Sequence, residues 1–466
     1  MSEQDGTQSS TLQQPTTDDQ HAWEAYWKEQ GQPWHTEPEI DVERQKFLTN
    51  RRNITPGSEQ NPYPFKDITL TRADVEWLLA THENGRGPVD WRDKSQRQRN
   101  GLDLRGVDLR RANLSSLPMA CLRAGLPWYK RNFHTSEQLD HAGVCLEKAN
   151  LRETHLEGAT LRGAHLEHAD LRGVFLEDAD LSRAHLEGAN LREAHLQGTK
   201  FIRAHLEWAD FPDAHLEEAK LIRAHLEGAH LRGAHLEGAD LRRAFFDIAT
   251  NLDGTLISSS GGESVLLAGI HWGGVDLTML DWAQVKMLGD EHVARQKMRS
   301  NEDRKDKATR LVEYEEAVRA NRQLAIALQE QGLNEDAARF AYRAQKLQRK
   351  VFWYQGIRKC GQYLFSLSLD LLAGYGYKPW RSFLAYLIVI TAFATAYFII
   401  GHTVGPALSP LGSLVFSMTS FHGRGFFPGG IALDDPLTIL AAIEAFVGLL
   451  IEVTFIATLT QRLFGK

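Results

Sequence analysis

The sequence predicts a multidomain protein that combines a β-helix, a helical hairpin and an α-helical membrane domain with two spans and a re-entrant loop. Three observations predict it. A large apolar residue recurs at every fifth position from Leu146 to Phe246. The hydrophobic period becomes helical after Asp290, and two long apolar runs follow residue 360. The chain has 466 residues, which is enough for two or three domains.

The five-residue period matches neither a helix nor an ordinary strand. Each unit has Leu or Phe at one position and a small residue, usually Ala, two positions earlier. If both point inward, each unit forms one side of a square coil whose interior is filled. The pattern resembles the pentapeptide-repeat family, whose members form a right-handed quadrilateral β-helix. The resemblance implies four units, and therefore about twenty residues, in each coil.

The β-helix is predicted to occupy residues 101–289. The rhythm starts at Leu104, and we expect residues 115–143 to form an inserted excursion before it resumes at Leu146. Bulkier units restore it near the end, where Trp272 and Trp282 take the Leu position. These last coils should close the end of the rod, which would otherwise expose unpaired backbone.

Outward histidines are predicted to stack in two ladders on opposite walls, because residues twenty apart lie above one another. The ladders are His155, Phe175, His195, His215 and His235, and His165, His185, His205, His225 and Phe245. Imidazoles beside the Glu residues that follow them are suited to binding a soft divalent metal or to sensing pH. We favour solvated faces with no metal ligands, because side chains on a convex wall should diverge.

The composition argues against several functions. A net charge of −7 and a pI near 6.3 disfavour a nucleic-acid-binding protein. The three cysteines are too scattered for a disulfide framework. Neither a nucleotide-binding loop nor a catalytic triad spacing is recognisable. We therefore predict that the protein is not an enzyme and has neither catalytic residues nor a cofactor.

The segments that flank the rod are predicted from composition and helix signals. Residues 1–62 are polar and should form a disordered tail. Residues 63–100 should form an N-terminal cap, with a helix capped by Thr71. Residues 290–355 should form a helical hairpin that resembles a tetratricopeptide unit, and such hairpins usually bind neighbouring proteins.

The C-terminal part is predicted to enter the cell membrane. Trp380 to Ile400 and Leu437 to Leu459 are apolar runs long enough to span a bilayer. Basic residues precede the first run and follow the second. Because positive charge near a span favours the cytoplasmic side, both termini are predicted to lie in the cytoplasm. The N-terminus lacks the pattern of a secretory signal, which agrees with this topology. Residues 356–379 should form an interfacial segment on the inner face, followed by a two-span domain over 380–466.

The segment between the spans predicts a pore. Ser409 and Pro410 begin a short apolar half-helix, which a glycine-rich loop follows. This layout resembles two-span channels of the potassium-channel superfamily, which are tetramers. The resemblance places the filter at Ser420, Phe421, His422, Gly423, Arg424 and Gly425. Only the two glycines match the superfamily filter, and a ring of arginines would favour anions or weak selectivity.

Glu444, Gly448 and Glu452 are predicted to lie on one face of the second span, where they would line the pore or brace the filter. Charges inside a span are costly unless they are paired or hydrated. We expect Glu444 to pair with Arg424, and Glu452 to line a wet cavity. Glu444 and Arg424 could also form a buried brace with no role in selectivity.

The sequence thus predicts an ion channel, a homotetramer in the lipid bilayer, whose cytoplasmic repeat domains regulate the passage of inorganic ions. A ligand or a cytoplasmic protein partner would act on these domains, and residues 353–380 would transmit the force. One alternative is a non-conducting, membrane-anchored scaffold for protein interactions. Another is a regulator whose repeats bind a soluble target.

Overall fold

The computed structural model describes residues 14–16, 19–54, 63–126, 142–262, 264–298, 303–403, 408–423 and 436–464. The chain divides into two compact units. The first consists of Met1–Val293 with Glu330–Leu333, and the second consists of Ala294–Gln329 with Asn334–Lys466.

The first unit begins with helices α1 (Gln20–Glu29) and α2 (Val42–Arg52), so the predicted disordered tail is wrong for residues 19–54. Helix α3 (Arg72–Ala80) has the predicted Thr71 capping box. A short helical turn over His82–Gly85 follows. Arg44 on α2 binds Asp74 on α3 through two hydrogen bonds, of 2.9 and 2.8 Å. The N-terminal helices are therefore held by contacts with residues some thirty positions further along the chain.

The repeats form the predicted coil. Parallel β-bridges join residues twenty apart, from Cys145 and His165 at one end to His225 and Phe245 at the other. Among the described residues, the walls contain isolated bridges rather than extended strands. The Leu, Phe and Ala side chains of residues 144–246 that point inward are almost fully buried. The interior is therefore filled.

Each corner of the coil turns the backbone from one side of the coil onto the next. The second residue after the inward Leu or Phe has a positive φ, as in Arg183 (60°), Arg203 (58°) and Asp213 (56°). This left-handed conformation costs about 1 kcal/mol for a residue other than Gly, Asn or Asp. The corner side chains therefore project outward, beside the walls.

The predicted excursion starts later than residue 115. Bridges join Pro118 to His155 and Arg123 to Thr160, and the buried Met119 and Ala124 take the inward position. The rhythm therefore continues with small or unbranched residues in place of Leu. The rest of the excursion, 127–141, lies outside the described residues.

The coil closes at its C-terminal end as predicted. Ile270, Val275, Leu280 and Val285 are buried there. Two 3₁₀ turns, Leu277–Met279 and Trp282–Gln284, follow the last parallel bridge of the coil, between Phe245 and His271. Helix α4 (Gly289–Arg295) then presents Asp290, which accepts hydrogen bonds from the backbone N–H groups of Leu267 (2.7 Å) and Ala268 (3.2 Å). This carboxyl group therefore satisfies buried backbone donors at the rod's end.

The second unit is helical. Helices α5 (Lys307–Glu330) and α6 (Asn334–Gln355) have the predicted hairpin positions. Helix α7 (Cys360–Ala373) lies within the predicted interfacial segment, between the 3₁₀ turns Ile357–Lys359 and Gly374–Gly376. Three further helices complete the unit: α8 (Pro379–Thr403), α9 (Pro410–Phe421) and α10 (Pro436–Phe464).

Candidate functional site

The half-helix α9 is the centre of the first candidate site. Its N-cap is Ser409, whose Oγ accepts a hydrogen bond from the N–H of Gly412 at 3.0 Å, and Pro410 occupies the first turn. Its side chains Ser413, Phe416, Ser417, Ser420 and Phe421 are buried. These residues face α8 and α10, both of which pack against α9. The predicted half-helix between two longer helices is present.

Glu444 is fully buried and joins all three helices. Its Oε2 accepts a hydrogen bond of 2.7 Å from Tyr397 Oη on α8. Its Oε1 is in hydrogen-bond contact with Ser417 Oγ on α9, and the same Oγ lies 3.0 Å from the carbonyl oxygen of Ile390. A buried carboxyl group with two hydroxyl partners is much less costly than an unpartnered one. Glu444 thus braces the half-helix.

Gly448 marks the closest approach between α9 and α10. A Cβ atom at this position would lie 2.1 Å from the carbonyl oxygen of Phe421. The Phe421 ring is also buried, and it packs edge-on against Tyr386 with ring centroids 4.8 Å apart. Gly448 therefore allows the second long helix to contact the end of the half-helix.

Glu452 and His422 form the outermost contact of this cluster. The His422 Nδ1 pairs with Glu452 Oε1, and the His422 Nε2 lies 3.5 Å from Tyr386 Oη. Both His422 and Glu452 are exposed by more than one third. Gly423 follows with a positive φ of 64°. The polar contacts of α10 therefore run from a buried end at Glu444 to an exposed end at Glu452.

Asp370 forms a second polar cluster, where α6, α7 and α8 meet. Tyr342 Oη donates a hydrogen bond of 2.9 Å to Oδ1, and Arg349 Nη1 donates one of 2.9 Å to Oδ2. Arg381 Nη1 lies 3.1 Å from Oδ1 and donates to the Asp370 carbonyl at 2.8 Å. Burial opposes ionisation, but the bonds from Tyr342 and Arg349 hold the pKa of Asp370 below its ordinary value. This cluster connects the hairpin to α8.

Two helices are long and apolar enough to cross a membrane, over Trp380–Thr403 and Pro436–Ala457. Both carry large apolar side chains that no other part of the described chain covers. On the first these are Phe383, Leu384, Leu387, Ile388 and Ile399, and on the second Ile439, Ile443, Phe446, Leu449, Leu450, Val453 and Ile456. Such apolar surfaces are typical of contact with lipid or with another chain.

The histidine ladders form the third candidate site, in the first unit. Neighbouring rings lie 4.6 to 5.3 Å apart. In six units the Nδ1 of the histidine lies 2.9 to 3.4 Å from Oε1 of the Glu two residues later. Burial and the neighbouring His215 lower the pKa of His195. The expected divergence of the imidazoles is therefore wrong, because backbone bridges hold the rings parallel.

The first unit matches a known repeat family. The family model "Pentapeptide repeats (8 copies)" matches residues 143–178, 179–217 and 210–247. These residues form a pentapeptide-repeat domain. The matched residues do not include the C-terminal helices, so the channel-like interpretation of residues 380–466 remains a proposal.

Solved structures similar to this chain include two that are described as pentapeptide repeat proteins. QnrB1, a plasmid-mediated fluoroquinolone resistance protein, is 17% identical over 40% of this chain and 79% of its own, with a TM-score of 0.26. Rfr23, a pentapeptide repeat protein from the cyanobacterium Cyanothece 51142, is 26% identical over 39% of this chain and 95% of its own (TM-score 0.17). HetL is a pentapeptide repeat protein involved in heterocyst differentiation regulation from the cyanobacterium Nostoc sp. strain PCC 7120. It is 25% identical over 36% of this chain and 84% of its own, with a TM-score of 0.11. A comparison with curated protein sequences gave no match.

Outside the pentapeptide-repeat domain, the structure brings together most of the predicted pore residues. Ser420, Phe421, His422, Glu444, Gly448 and Glu452 all lie along the α9–α10 contact. Arg424 and Gly425 lie outside the described residues, and the predicted pairing of Arg424 with Glu444 stays a prediction. The roles of these residues in a pore also stay predictions.

Sequence reasoning missed the hydroxyl partners of Glu444. Ser413, Ser417 and Ser420 lie on one face of α9 at spacings of four and three, and Tyr397 is a polar residue within an apolar run. Buried hydroxyl groups need partners. This spacing was the available signal for a polar contact inside the helical cluster.

Proposed function

We propose that the protein is a membrane-anchored scaffold for protein interactions. The pentapeptide-repeat domain would bind a partner through its outer walls, and the two long apolar helices of the second unit would hold the chain in the bilayer. The observation that carries this proposal is the filled interior of the repeat domain. Because its inward side chains are almost fully buried, binding must use the outside of the coil.

The outer walls support a protein partner. They are mostly polar, with alternating carboxylate, imidazole and guanidinium groups. One large aromatic side chain, Trp208, is 60% exposed on this surface, where it lies over Gly228. Exposed tryptophans surrounded by polar groups are common anchors of protein interfaces. We place the partner contact on the wall that includes Trp208.

Two experiments on the full-length chain test the scaffold proposal. Extraction of cell membranes with alkaline carbonate should leave the chain in the membrane pellet, because both spans would be integral. A photo-cross-linking amino acid at position 208 should capture a discrete protein. The same probe at Val312, which is exposed on the hairpin, is the matched control. Release by carbonate, or equal cross-linking patterns from the two positions, would contradict the proposal.

A second candidate function is an ion channel, proposed as a homotetramer with both termini in the cytoplasm. The observation that favours it is the half-helix α9, which packs between two long apolar helices and ends at Phe421, two residues before Gly423 with its positive φ. Half-helices followed by irregular backbone are tolerated at membrane depth where they border a water-filled path. An oligomer would bring several such half-helices together.

Planar bilayers test the channel under a KCl gradient. A current that reverses near the chloride equilibrium potential, and that loses this chloride preference in Arg424→Ala, would support an anion-conducting pore with an arginine ring. A reversal near the potassium potential would reject the arginine ring but keep the pore. Absence of current, together with stable membrane insertion and cross-linking at position 208, would leave the scaffold as the function.

A further inference from the structure

We propose that His215, Glu217 and His235 form a binding site for a divalent transition-metal ion such as Zn²⁺, on one wall of the pentapeptide-repeat domain. One ligand atom from each of these residues lies within 4.8 Å of the other two. The residues come from successive coils, and the coil fixes their backbones through the bridge between His215 and His235. The site is therefore preorganised by the fold.

The distances suit a tetrahedral ion. The His215 Nδ1 lies 3.3 Å from Glu217 Oε1, and the His235 Nδ1 lies 3.9 Å from the same oxygen. Metal–ligand bonds of about 2.0–2.1 Å place tetrahedral ligand atoms about 3.4 Å apart. A small rotation of His235 would complete the set, and Glu237 Oε1, 3.8 Å from His235 Nδ1, is available as a fourth ligand.

The donor types favour zinc-like ions. Two imidazoles and one carboxylate are a ligand set that zinc uses in proteins. Magnesium and calcium prefer oxygen ligands throughout. At this site, metal binding through Nδ1 would leave each imidazole neutral, with its proton on Nε2, which faces away from the ligand cluster.

The tilt of its rings distinguishes the His215–His235 pair from the other stacked pairs. The rings of His215 and His235 are tilted by 31°, whereas the other stacked pairs of the two ladders lie within 1° to 14° of parallel. His235 thus lies between two carboxylates instead of pairing closely with one. As at the other Glu residues of the two ladders, the second oxygen, Oε2, of both Glu217 and Glu237 is buried without a hydrogen-bond partner among the described residues. A bound cation would compensate the charge of these carboxylates.

The surrounding charges favour a cation on this wall over the opposite one. The corner residues beside His215 are Asp213 and Glu218. The opposite wall has three Glu–His–Glu groups of similar size, but an arginine occupies one of the two corners beside each of their histidines. These corner arginines are Arg183, Arg203 and Arg223. Guanidinium groups raise the energy of a nearby cation, so the wall of His215 should bind a metal more tightly.

The experiment titrates the full-length chain, purified in detergent without a histidine tag, with Co²⁺ and then displaces the cobalt with Zn²⁺. Tetrahedral Co²⁺ has an intense visible absorption that octahedral Co²⁺ lacks, so the spectrum reports the geometry. The test variant is His235→Phe. Phe175 and Phe245 occupy equivalent positions in the two ladders, which shows that the stacks accept a phenyl ring. The matched control is His225→Phe on the opposite wall. Glu217→Gln is a second variant that keeps the shape of the side chain.

The expected result is one tightly bound ion per chain with a tetrahedral spectrum. His235→Phe and Glu217→Gln should weaken this binding by at least about tenfold, and His225→Phe should leave it unchanged. Unaltered thermal unfolding of the metal-free variants would show that the coil is intact. Equal affinities of the wild type and His235→Phe would overturn the proposal. So would a loss of binding in His225→Phe, or a titration with no tetrahedral cobalt.

Discussion

Asp370 should control how firmly the hairpin is held to the first long helix. The substitution Asp370→Asn keeps the size of the side chain and one oxygen that can accept from Tyr342, but it removes the charge that Arg349 and Arg381 share. A hydrogen bond to a charged group contributes about 1.5–3 kcal/mol. The two arginines are 15% and 30% exposed, so solvent screens part of their contribution. We therefore expect a loss of about 2–4 kcal/mol rather than the full sum.

Hydrogen–deuterium exchange of the full-length chain in lipid nanodiscs measures this loss. Amides in α6 and α7 that open together should exchange about 30- to 1,000-fold faster in Asp370→Asn, because each 1.4 kcal/mol is about a factor of ten. The control is Asp336→Asn, which removes the surface pair with Arg339 on the same hairpin and should cost at most about 1 kcal/mol. Because the fold lowers the pKa of Asp370, the stabilisation exists above the unfolded value of 3.8 and is lost as the pH falls below it. Equal exchange in both variants at neutral pH would refute the role of Asp370.

Three further predictions concern other contacts. Gly448→Ala should destabilise the helical cluster by about 1–3 kcal/mol, because the new methyl group meets the Phe421 carbonyl. The control, Gly361→Ala on α7, adds a methyl group with no atom within 4 Å and should be neutral or stabilising. Thermal unfolding in bicelles compares the two variants. Tyr397→Phe should lower the free energy of unfolding by about 1.5–3 kcal/mol in the same assay, since Glu444 loses one of its two hydrogen-bond donors. The control, Thr391→Val, removes an exposed hydroxyl group on the same helix and should change the stability little. Burial raises the pKa of Asp290 from 3.8 to about 7, so the free energy of unfolding of the rod's C-terminal end should fall by up to about 4 kcal/mol as the pH rises from 3.8 to 7. In Asp290→Asn, the stabilities at pH 5 and pH 8 should differ less than in the wild type. An unchanged pH dependence in this variant would exclude the Asp290 carboxyl group as the source of the pH dependence.

The periodic parts of this fold could be predicted because their information is local. An inward Leu every fifth position predicts the coil, and Ser409 followed by Pro410 predicts the start of α9. Beyond a short fluctuating helix near Trp23, stable helices within residues 19–54 were not predicted, because their sequence is too polar to bury much surface by itself. They are stabilised by distant partners, such as Asp74, which accepts hydrogen bonds from Arg44 on α2, and the connection between them is held by the bond from the Thr36 N–H to the buried Glu76. No period along the chain reports a contact of that kind.

The candidate sites were predicted in part for a related reason. Glu444 was recognised as a costly charge, but its partner was sought among opposite charges and not among hydroxyl groups on two other helices. The histidine ladders were placed correctly, yet the convex wall suggested divergent rings. Backbone bridges hold the histidines of successive coils in parallel stacks. Ligand atoms of neighbouring coils therefore stay within 4.8 Å of one another instead of spreading apart. The direction of a side chain is set here by the repeat and not by the curvature of the surface.

The brace at Glu444 also bears on how an oligomeric pore could assemble. Tyr397, Ser417 and Glu444 belong to one chain, so the half-helix is held without help from a neighbouring protomer. Oligomerisation would then have to use the apolar side chains that remain exposed on α8 and α10. Assembly and half-helix stability are therefore separable. A substitution of Phe446, exposed on α10, should alter the oligomeric state without altering the α9 contacts, whereas Tyr397→Phe should weaken those contacts in monomer and oligomer alike. Cross-linking in nanodiscs, read beside exchange in α9, distinguishes the two effects. A change in α9 exchange caused by Phe446→Ala would show that the half-helix depends on the neighbouring chain.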